Sequence, residues 1–285
     1  MELHIAHKTT YAYENPVVLN THTIFLKPLQ RPYLHIGQYH LEVLPIPGGL
    51  VERSSIEGNP FFQTWFNQAT DRLEINASFD VTIQLFNPFS FIIDLDFVQQ
   101  INPASPQFFH YTPAEQILLY ACLQTFTHHS IYKFANAVFL RSPENPIAYL
   151  MELTATVHEN WKHIIRQEEN IWNPEQTFEK NEGSCRDLSW MLIHMLRMQG
   201  LAARFVSGYA FNPELNEGHE LHAWVETYLP GAGWIGMDPS LGLFTDQNYI
   251  PLACSSEAQN TLPVHGTYAG SGISTLETYV EISYK

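Results

Sequence analysis

The sequence Gly183-Ser-Cys-Arg-Asp-Leu188 predicts a loop that delivers one cysteine to the first turn of a helix. Ser184 is a residue type that caps helix N-termini, and we expect the Asp187 carboxylate to fix this loop through a cap or an ion pair. A thiol at this position lies at the positive end of the helix dipole, which favours the thiolate. Cys185 is therefore the first candidate for a nucleophile. Gly200 then ends a helix whose apolar residues recur at helical spacing, namely Leu188, Met191, Leu192, Met195 and Leu196.

A histidine and an aspartate follow the cysteine on two further segments. His222 lies in the alternating run Leu221-His-Ala-Trp-Val-Glu226, which predicts a strand, and Asp238 follows the aromatic run Gly233-Trp-Ile-Gly-Met237. A thiolate nucleophile needs a base, and the base needs a group that holds its imidazole in one tautomer. We therefore predict a catalytic triad of Cys185 as nucleophile, His222 as base and Asp238 as orienter.

Other residues of the same types have weaker claims to these roles. His219 is the rival base, but its place near a loop suits a fixed position less well. Glu226 is the rival orienter, but it shares a strand face with His222 and therefore points along that face rather than at the far nitrogen of the imidazole. Cys122 falls in an apolar helical pattern typical of a core, and Cys254 lies in a Ser-rich loop. A satisfied core histidine and an aspartate that forms a turn before proline are the structural alternatives for the two predicted partners.

Composition excludes several function classes. The 285 residues carry 14 Lys and Arg against 29 Asp and Glu, a net charge of −15, which disfavours nucleic acid and anionic membrane surfaces as partners. The start of the chain lacks a charged segment followed by an apolar one, so we expect a cytoplasmic protein. Three scattered cysteines do not make a disulfide framework. Cys, His and Asp side chains can also bind zinc, but the closely spaced ligand pairs typical of zinc sites are absent from this sequence. The glycine motifs of nucleotide-binding sites are absent as well. We therefore predict no metal and no cofactor.

The first hundred residues differ in pattern from the remainder. Residues 1–102 contain strand-like runs separated by Pro and Gly clusters, which predicts an antiparallel, sandwich-like β domain. The segment Thr112-Pro-Ala-Glu115 predicts a capped helix to about Phe126. Asn145-Pro146 opens a second helix, whose apolar pattern continues to Ile164 and Ile165. After the cysteine helix the chain returns to strands, and its tail alternates like another strand. We predict an α+β protein whose second domain covers 107–285.

Three blocks of this sequence together resemble the core of the bacterial transglutaminase-like superfamily. They are Gly183-Ser-Cys-Arg-Asp-Leu-Ser-Trp190, the segment 200–209 that follows its helix, and the segment from His222 to Ser240. The first part of the chain resembles the β domain that precedes this core in many bacterial members, through runs such as His7-Lys-Thr-Thr-Tyr-Ala-Tyr13.

The resemblance implies a papain-like, transglutaminase-like core that performs acyl transfer through a thioester on Cys185. It favours a hydrolase of peptide or amide bonds, in the sense of a candidate cysteine protease, because the chain lacks an EF-hand-type calcium loop and has no room for the further domains of the animal cross-linking enzymes. A transamidase with an amine acceptor and a binding scaffold with an idle triad are the alternatives. Trp172 and Gln176 are side-chain candidates for the oxyanion hole, beside the backbone N–H of Cys185. The expected partner is a peptide or amide substrate.

Overall fold

The structure is a computed structural model, and the residues that it describes are 1–143, 145–166, 168, 170–214 and 220–285. The chain begins with the strands β1 (Glu2–Leu19), β2 (His22–Ile24), β3 (Leu34–Leu44), β4 (Gly49–Ser54), β5 (Pro60–Trp65) and β6 (Ala69–Ile83). Along much of β1 and β6, buried and exposed side chains alternate, because successive residues of a strand point to opposite faces. These strands pair antiparallel, as the sequence pattern predicts.

Helices dominate the middle of the chain: α1 (Leu95–Gln99), α2 (Pro113–Leu118), α3 (Tyr120–Leu123), α4 (His129–Phe139), α5 (Pro146–Asn160), α6 (Pro174–Lys180) and α7 (Cys185–Met198). α5 starts at the predicted cap, where the Asn145 side chain accepts a hydrogen bond from the Ala148 amide at 3.0 Å. The single helix predicted from Thr112 to Phe126 is instead two short helices. The backbone leaves the helix at Leu119 (φ −95°, ψ 3°), which buries that side chain. Within the described residues, no helix has the length and apolarity needed to span a membrane.

The cysteine helix α7 packs against a five-stranded antiparallel sheet in the order β12-β11-β10-β9-β13. The strands of this core sheet are β9 (Ala203–Ala210), β10 (Leu221–Leu229), β11 (Gly233–Asp238), β12 (Leu243–Phe244) and β13 (Tyr249–Ser255). Ser189 Oγ on α7 donates to the Ala223 carbonyl on β10 at 3.2 Å. Arg197 on the same helix is buried and donates to the Ala203 carbonyl from Nε and Nη2. α7 is thus covered by protein over most of its surface, which makes it a rigid support for its first residue.

Two very short strands form a separate ribbon next to α7. They are β7 (Lys162–His163) and β8 (Glu182–Gly183), and they pair in parallel, with His163 opposite Gly183. The amide of Ile164 donates to the Gly183 carbonyl at 3.0 Å. Because β8 leads directly into α7, this ribbon sets the path of the chain into the cysteine.

The end of the chain returns to the sheets of the first part. Its strands are β14 (Val264–His265), β15 (Tyr268–Ala269) and β16 (Ser274–Tyr284). β14 pairs with β2, and β16 pairs with β1 along eleven residues, from Leu3 opposite Tyr284 to Tyr13 opposite Ser274. The strand predicted in the tail is present. Its hydrogen-bond partner is β1, the first strand of the chain; the domain bounds 1–102 and 107–285 stay predictions.

The β-rich part packs directly against the core sheet. The Asn59 side chain binds both backbone groups of Cys254: Nδ2 donates to the carbonyl at 2.8 Å, and Oδ1 accepts from the amide at 3.0 Å. The Tyr209 hydroxyl on β9 pairs with buried His7 Nδ1 on β1 at 2.9 Å. Tyr209 also belongs to the apolar core of the β-rich part. The apolar core of the β-rich part therefore extends onto the core sheet.

Candidate active site

Cys185 is the first residue of α7, directly after its N-cap Ser184. The backbone of Ser184 is extended (φ −73°, ψ 171°), and the first-turn amides that follow have no partner within the helix. The preceding residue must be small, because a Cβ on Gly183 would lie 2.9 Å from the Cβ of Asp187. The half-buried thiol thus lies at the positive end of the helix, where the sequence predicts it.

Asp187 fixes the loop in front of the cysteine. Its Oδ2 accepts hydrogen bonds from the Ser184 amide at 2.9 Å and from Ser184 Oγ at 2.7 Å. Its Oδ1 accepts from the Trp172 amide at 2.7 Å, and Arg166 Nη1 donates to both oxygens. The Asp187 side chain has no exposed surface. The prediction that this carboxylate acts as a cap and an ion-pair partner is confirmed.

His222 and Asp238 lie at neighbouring positions of the core sheet. His222 is the second residue of β10, and Asp238 is the last residue of β11, the strand that pairs with β10. His222 Nε2 donates to Asp238 Oδ2 at 2.7 Å. This bond leaves Nδ1 of the imidazole for the Cys185 thiol, to which His222 is also hydrogen-bonded. The three residues of the predicted triad are therefore together in space.

The Asp238 carboxylate is fully buried and held by several donors. Oδ1 accepts from the Ser240 amide at 2.8 Å and from Ser240 Oγ at 2.6 Å. Oδ2 accepts from the Tyr249 hydroxyl at 2.7 Å in addition to His222. Burial alone would raise the pKa of Asp238, but the His222 charge and these hydrogen bonds outweigh it and lower the pKa. An ionised Asp238 keeps the imidazole in one orientation.

The pKa values of the Cys185 thiol and the His222 imidazole are shifted in the directions that favour an ion pair between them. Burial by itself would raise the pKa of the Cys185 thiol; hydrogen bonds from His163 and His222, together with the His222 charge, lower it to about 6. Burial by itself would lower the pKa of His222, whereas the charge and hydrogen bond of Asp238, assisted by Cys185, raise it to about 10. Between these values the thiolate and the imidazolium coexist, which is the reactive state of a cysteine nucleophile.

The other sequence candidates lie in different settings. Two cations lie over the Trp172 ring: the Arg166 guanidinium is 4.1 Å from the ring centroid, and Lys180 Nζ is 4.9 Å from it. Gln176 belongs to the capping box of α6, where its Oε1 accepts from the Asn173 amide at 3.2 Å. Their oxyanion role stays a prediction.

The residues that the sequence offers as rivals to the triad members also lie in other settings, where the structure describes them. The Glu226 carboxylate is bound by Arg204 Nε at 2.8 Å and by Arg31 Nη2 at 3.1 Å, so it serves an ion-pair network. Burial raises the pKa of the Cys122 thiol to about 11, and it also raises the pKa of Cys254. His219 lies outside the described residues.

His163 is the residue that sequence reasoning missed. It ends β7, and its imidazole is hydrogen-bonded to the Cys185 thiol. The helical pattern predicted from Asn145 continues to Ile165 and places His163 inside that helix, but α5 ends at Asn160 and His163 lies on β7. Its proximity arises from a two-residue parallel ribbon, which has no sequence signature. In the part of the chain that the structure describes, no group of three or more His, Cys, Asp or Glu side chains is arranged to hold a metal ion.

Individual relatives cover parts of this chain. An uncharacterised protein of Mycobacterium leprae is 30% identical over 108 residues, 35% of this chain and 37% of its own length. A protein-glutamine gamma-glutamyltransferase of Pseudomonas aeruginosa is 28% identical over 111 residues, 36% of this chain and 15% of its own length. The matched region is thus little more than a third of the first relative and a smaller part of the second.

A solved structure shares the fold over nearly the whole chain. It is described as a candidate cysteine protease from Cytophaga hutchinsonii, and it aligns with a TM-score of 0.71 and 20% identity, covering 99% of this chain and 90% of its own. Two family models match in tandem: the bacterial transglutaminase-like N-terminal region over residues 3–82 and the transglutaminase-like superfamily core over residues 133–239. The second match contains Cys185, His222 and Asp238. Residues 133–239 of this chain thus match the transglutaminase-like superfamily, and residues 3–82 match its bacterial N-terminal region.

Proposed function

We propose that this chain is a cysteine-dependent acyl-transfer enzyme that hydrolyses peptide or amide bonds through a thioester on Cys185. The observation that carries the proposal is the arrangement of one tuned thiol, one imidazole and one buried carboxylate. The His222–Asp238 bond of 2.7 Å orients the imidazole, and the lowered pKa of Cys185 supplies a nucleophile near neutral pH.

The acylation step uses both members of the ion pair. The Cys185 thiolate attacks the substrate carbonyl carbon, a carbon–sulfur bond forms, and the negative charge moves to the carbonyl oxygen. When the tetrahedral intermediate collapses, the carbon–nitrogen bond breaks, and the His222 imidazolium gives its Nδ1 proton to the leaving amine. The products are a thioester on Cys185, the free amine and a neutral imidazole.

The second step returns the enzyme to its starting state. Neutral His222 takes a proton from water, the resulting hydroxide attacks the thioester, and the carbon–sulfur bond breaks. The thiolate leaves, the imidazolium is restored, and a carboxylic acid is released. An amine in place of water would give transamidation by the same steps, so the choice of acceptor decides between the two activities.

Two finer descriptions of the fold accompany this proposal. The order of nucleophile on a helix, followed by base and orienter on sheet strands, supports a papain-like classification of the core. The second sheet, in the order β14-β2-β5-β4, supports a sandwich-like description of the β-rich part, because β2 and β5 share an apolar cluster with β1 and β6.

The test uses p-nitrophenyl acetate as an acyl donor and intact-protein mass spectrometry as the readout. We expect one acetyl group on the wild type, mapped to Cys185, followed by its loss to water. Cys185→Ala should carry none, whereas Cys122→Ala, the matched thiol control, should react like the wild type. Acetylation of Cys185→Ala at the wild-type rate would refute the proposal.

The acceptor is decided by a second assay with a casein digest and a fluorescent primary amine. Hydrolysis predicts Cys185-dependent appearance of new peptide termini or of deamidated side chains without incorporation of the amine. Stoichiometric, Cys185-dependent incorporation of the amine would instead assign transamidation. An alkylatable Cys185 that neither acetylates nor turns over a peptide would favour the idle scaffold.

A further inference from the structure

A second imidazole contacts the nucleophile from a different element than the triad histidine. His163 ends β7, and its position opposite Gly183 places it beside the residues that lead into Cys185. The hydrogen bond from the Ile164 amide to the Gly183 carbonyl, at 3.0 Å, fixes the ribbon at this point. The His163 side chain is exposed, so it borders the solvent side of the half-buried thiol.

The partners of the two histidines differ. His222 is oriented by the buried carboxylate of Asp238, which makes it the base. Across the described part of the chain, no carboxylate is hydrogen-bonded to His163. His163 therefore has its own N–H donor close to the Cys185 sulfur, but it does not have the charged partner that a triad base requires.

We propose that His163 is the side-chain half of the oxyanion hole, donating an N–H to the Cys185 sulfur in the resting enzyme and to the carbonyl oxygen in the tetrahedral intermediate. This role rests on the proposed acyl-transfer function. When the thiolate attacks, its charge moves to an oxygen that is only two bonds from the sulfur. A donor already in contact with the sulfur can follow that charge with a small displacement. The other half of the hole is the Cys185 backbone N–H, at the free end of α7.

The chemistry also divides the two imidazoles between two tasks. The His222 proton must travel to the leaving nitrogen, so the same group cannot remain on the oxyanion throughout the step. The two side chains that the sequence suggests for the oxyanion make other contacts: two cations lie over the Trp172 ring, and Gln176 closes the capping box of α6. His163 is left as the imidazole donor that contacts the sulfur without serving as base.

The test compares two reactions of the same thiolate in the wild type, His163→Phe and His163→Gln. Acylation by p-nitrophenyl acetate passes through an oxyanion, whereas alkylation by iodoacetamide does not. At a pH where the thiolate is fully formed in every variant, we expect His163→Phe to slow acylation by about 10²–10³-fold, the cost of one lost oxyanion donor. Alkylation should change much less, and His163→Gln, whose amide can donate, should recover part of the acylation rate.

Controls separate this role from misfolding. His35→Phe, at an exposed histidine on β3, should leave both reactions unchanged. His163→Phe should retain the wild-type unfolding transition, because its side chain is exposed. The pH profile of alkylation in His163→Phe should move to higher pH, since the thiolate loses one hydrogen bond.

Each outcome bears on one of the two proposals. Equal losses in acylation and alkylation, or no loss in either, would overturn the oxyanion role while the acyl-transfer function stands. A wild type that alkylates readily but never acetylates would refute the acyl-transfer function, and the role of His163 with it. A selective loss of acylation, with recovery in His163→Gln, is the result that we expect.

Discussion

Replacing Asp187 by Asn tests whether the loop before the nucleophile is held by charge. The Asp187 carboxylate accepts hydrogen bonds from the Arg166 guanidinium, from the Trp172 amide, and from the amide and hydroxyl of Ser184. Neither side chain of the Arg166–Asp187 ion pair is more than 7% exposed. The Asn amide would keep one acceptor oxygen, but its NH₂ group would face the donors at Ser184. The Arg166 charge would remain buried without its partner.

The structure gives the size of this effect. Removing one partner of a buried ion pair costs about 3–5 kcal/mol, whereas an exposed pair contributes about 0–1 kcal/mol. We therefore expect Asp187→Asn to lower the free energy of unfolding by about 3–5 kcal/mol. The matched control is Glu152→Gln, which breaks the pair of Arg141 and Glu152, with side chains 58% and 32% exposed; its loss should stay within about 1 kcal/mol.

The assay is urea unfolding followed by tryptophan fluorescence, combined with iodoacetamide labelling of the folded protein. In the folded variant, the alkylation rate of Cys185 should stay within about tenfold of the wild type, the equivalent of one pKa unit. A stability loss no greater than that of Glu152→Gln would refute the argument from buried charge. A folded variant with an unreactive thiol would show instead that Asp187 acts on the chemistry.

Further predictions concern the tuning of the triad. The acylation rate should depend on pH as a bell: it falls below about 6 as the Cys185 thiolate gains a proton, and above about 10 as His222 loses one; a flat profile would contradict the ion pair. Tyr249→Phe removes a hydrogen-bond donor from Asp238 Oδ2, so that this oxygen carries more negative charge towards His222. The alkaline limb of the pH profile should therefore move to higher pH, and the activity at neutral pH should fall. An alkaline limb that does not move would exclude a role of Tyr249 in setting the pKa of His222. At about pH 8, iodoacetamide should label Cys185 well before Cys122, whose pKa burial raises to about 11, and peptide mapping that finds the reverse order would exclude Cys185 as the reactive thiol.

Sequence patterns predict the elements that carry the triad, because each has a local signal. The start of α7 has a serine cap and an acid three residues later, and the structure contains that capping box between Ser184 and Asp187. β10 alternates, and Asp238 ends β11. Since adjacent strands pair and the helix must cover its sheet, order and element type together bring the three side chains close.

Two helices, α4 and α6, were not predicted from the sequence. The first lacks a local capping signal, and the second has a capping signal that was not recognised. The N-cap of α4 is His128, whose side chain makes no capping hydrogen bond, and buried residues such as Ile131 and Phe139 hold this helix in place. α6 does have a signal: Asn173, a proline and Gln176 form a capping box like that expected for longer helices. Gln176 closes this capping box, and its candidacy for the oxyanion hole stays a prediction. Tertiary pairings such as His163 with Gly183 have no local cause and cannot be predicted from periodicity.

The pairing of β16 with β1 has a consequence for the order in which this chain can fold during synthesis. The first strand to leave the ribosome finds one neighbour, β6, early, but its other neighbour, β16, is made only after α7 and the core sheet. Until then one edge of β1 is open, and an open strand edge is a template for pairing with other chains. Closing that edge joins residues 3 and 284 in one ladder, so the final pairing carries a loop-closure entropy that local pairings avoid. A nascent or truncated chain that stops before β16 should therefore expose β1 and depend on chaperones, even where its triad residues are complete.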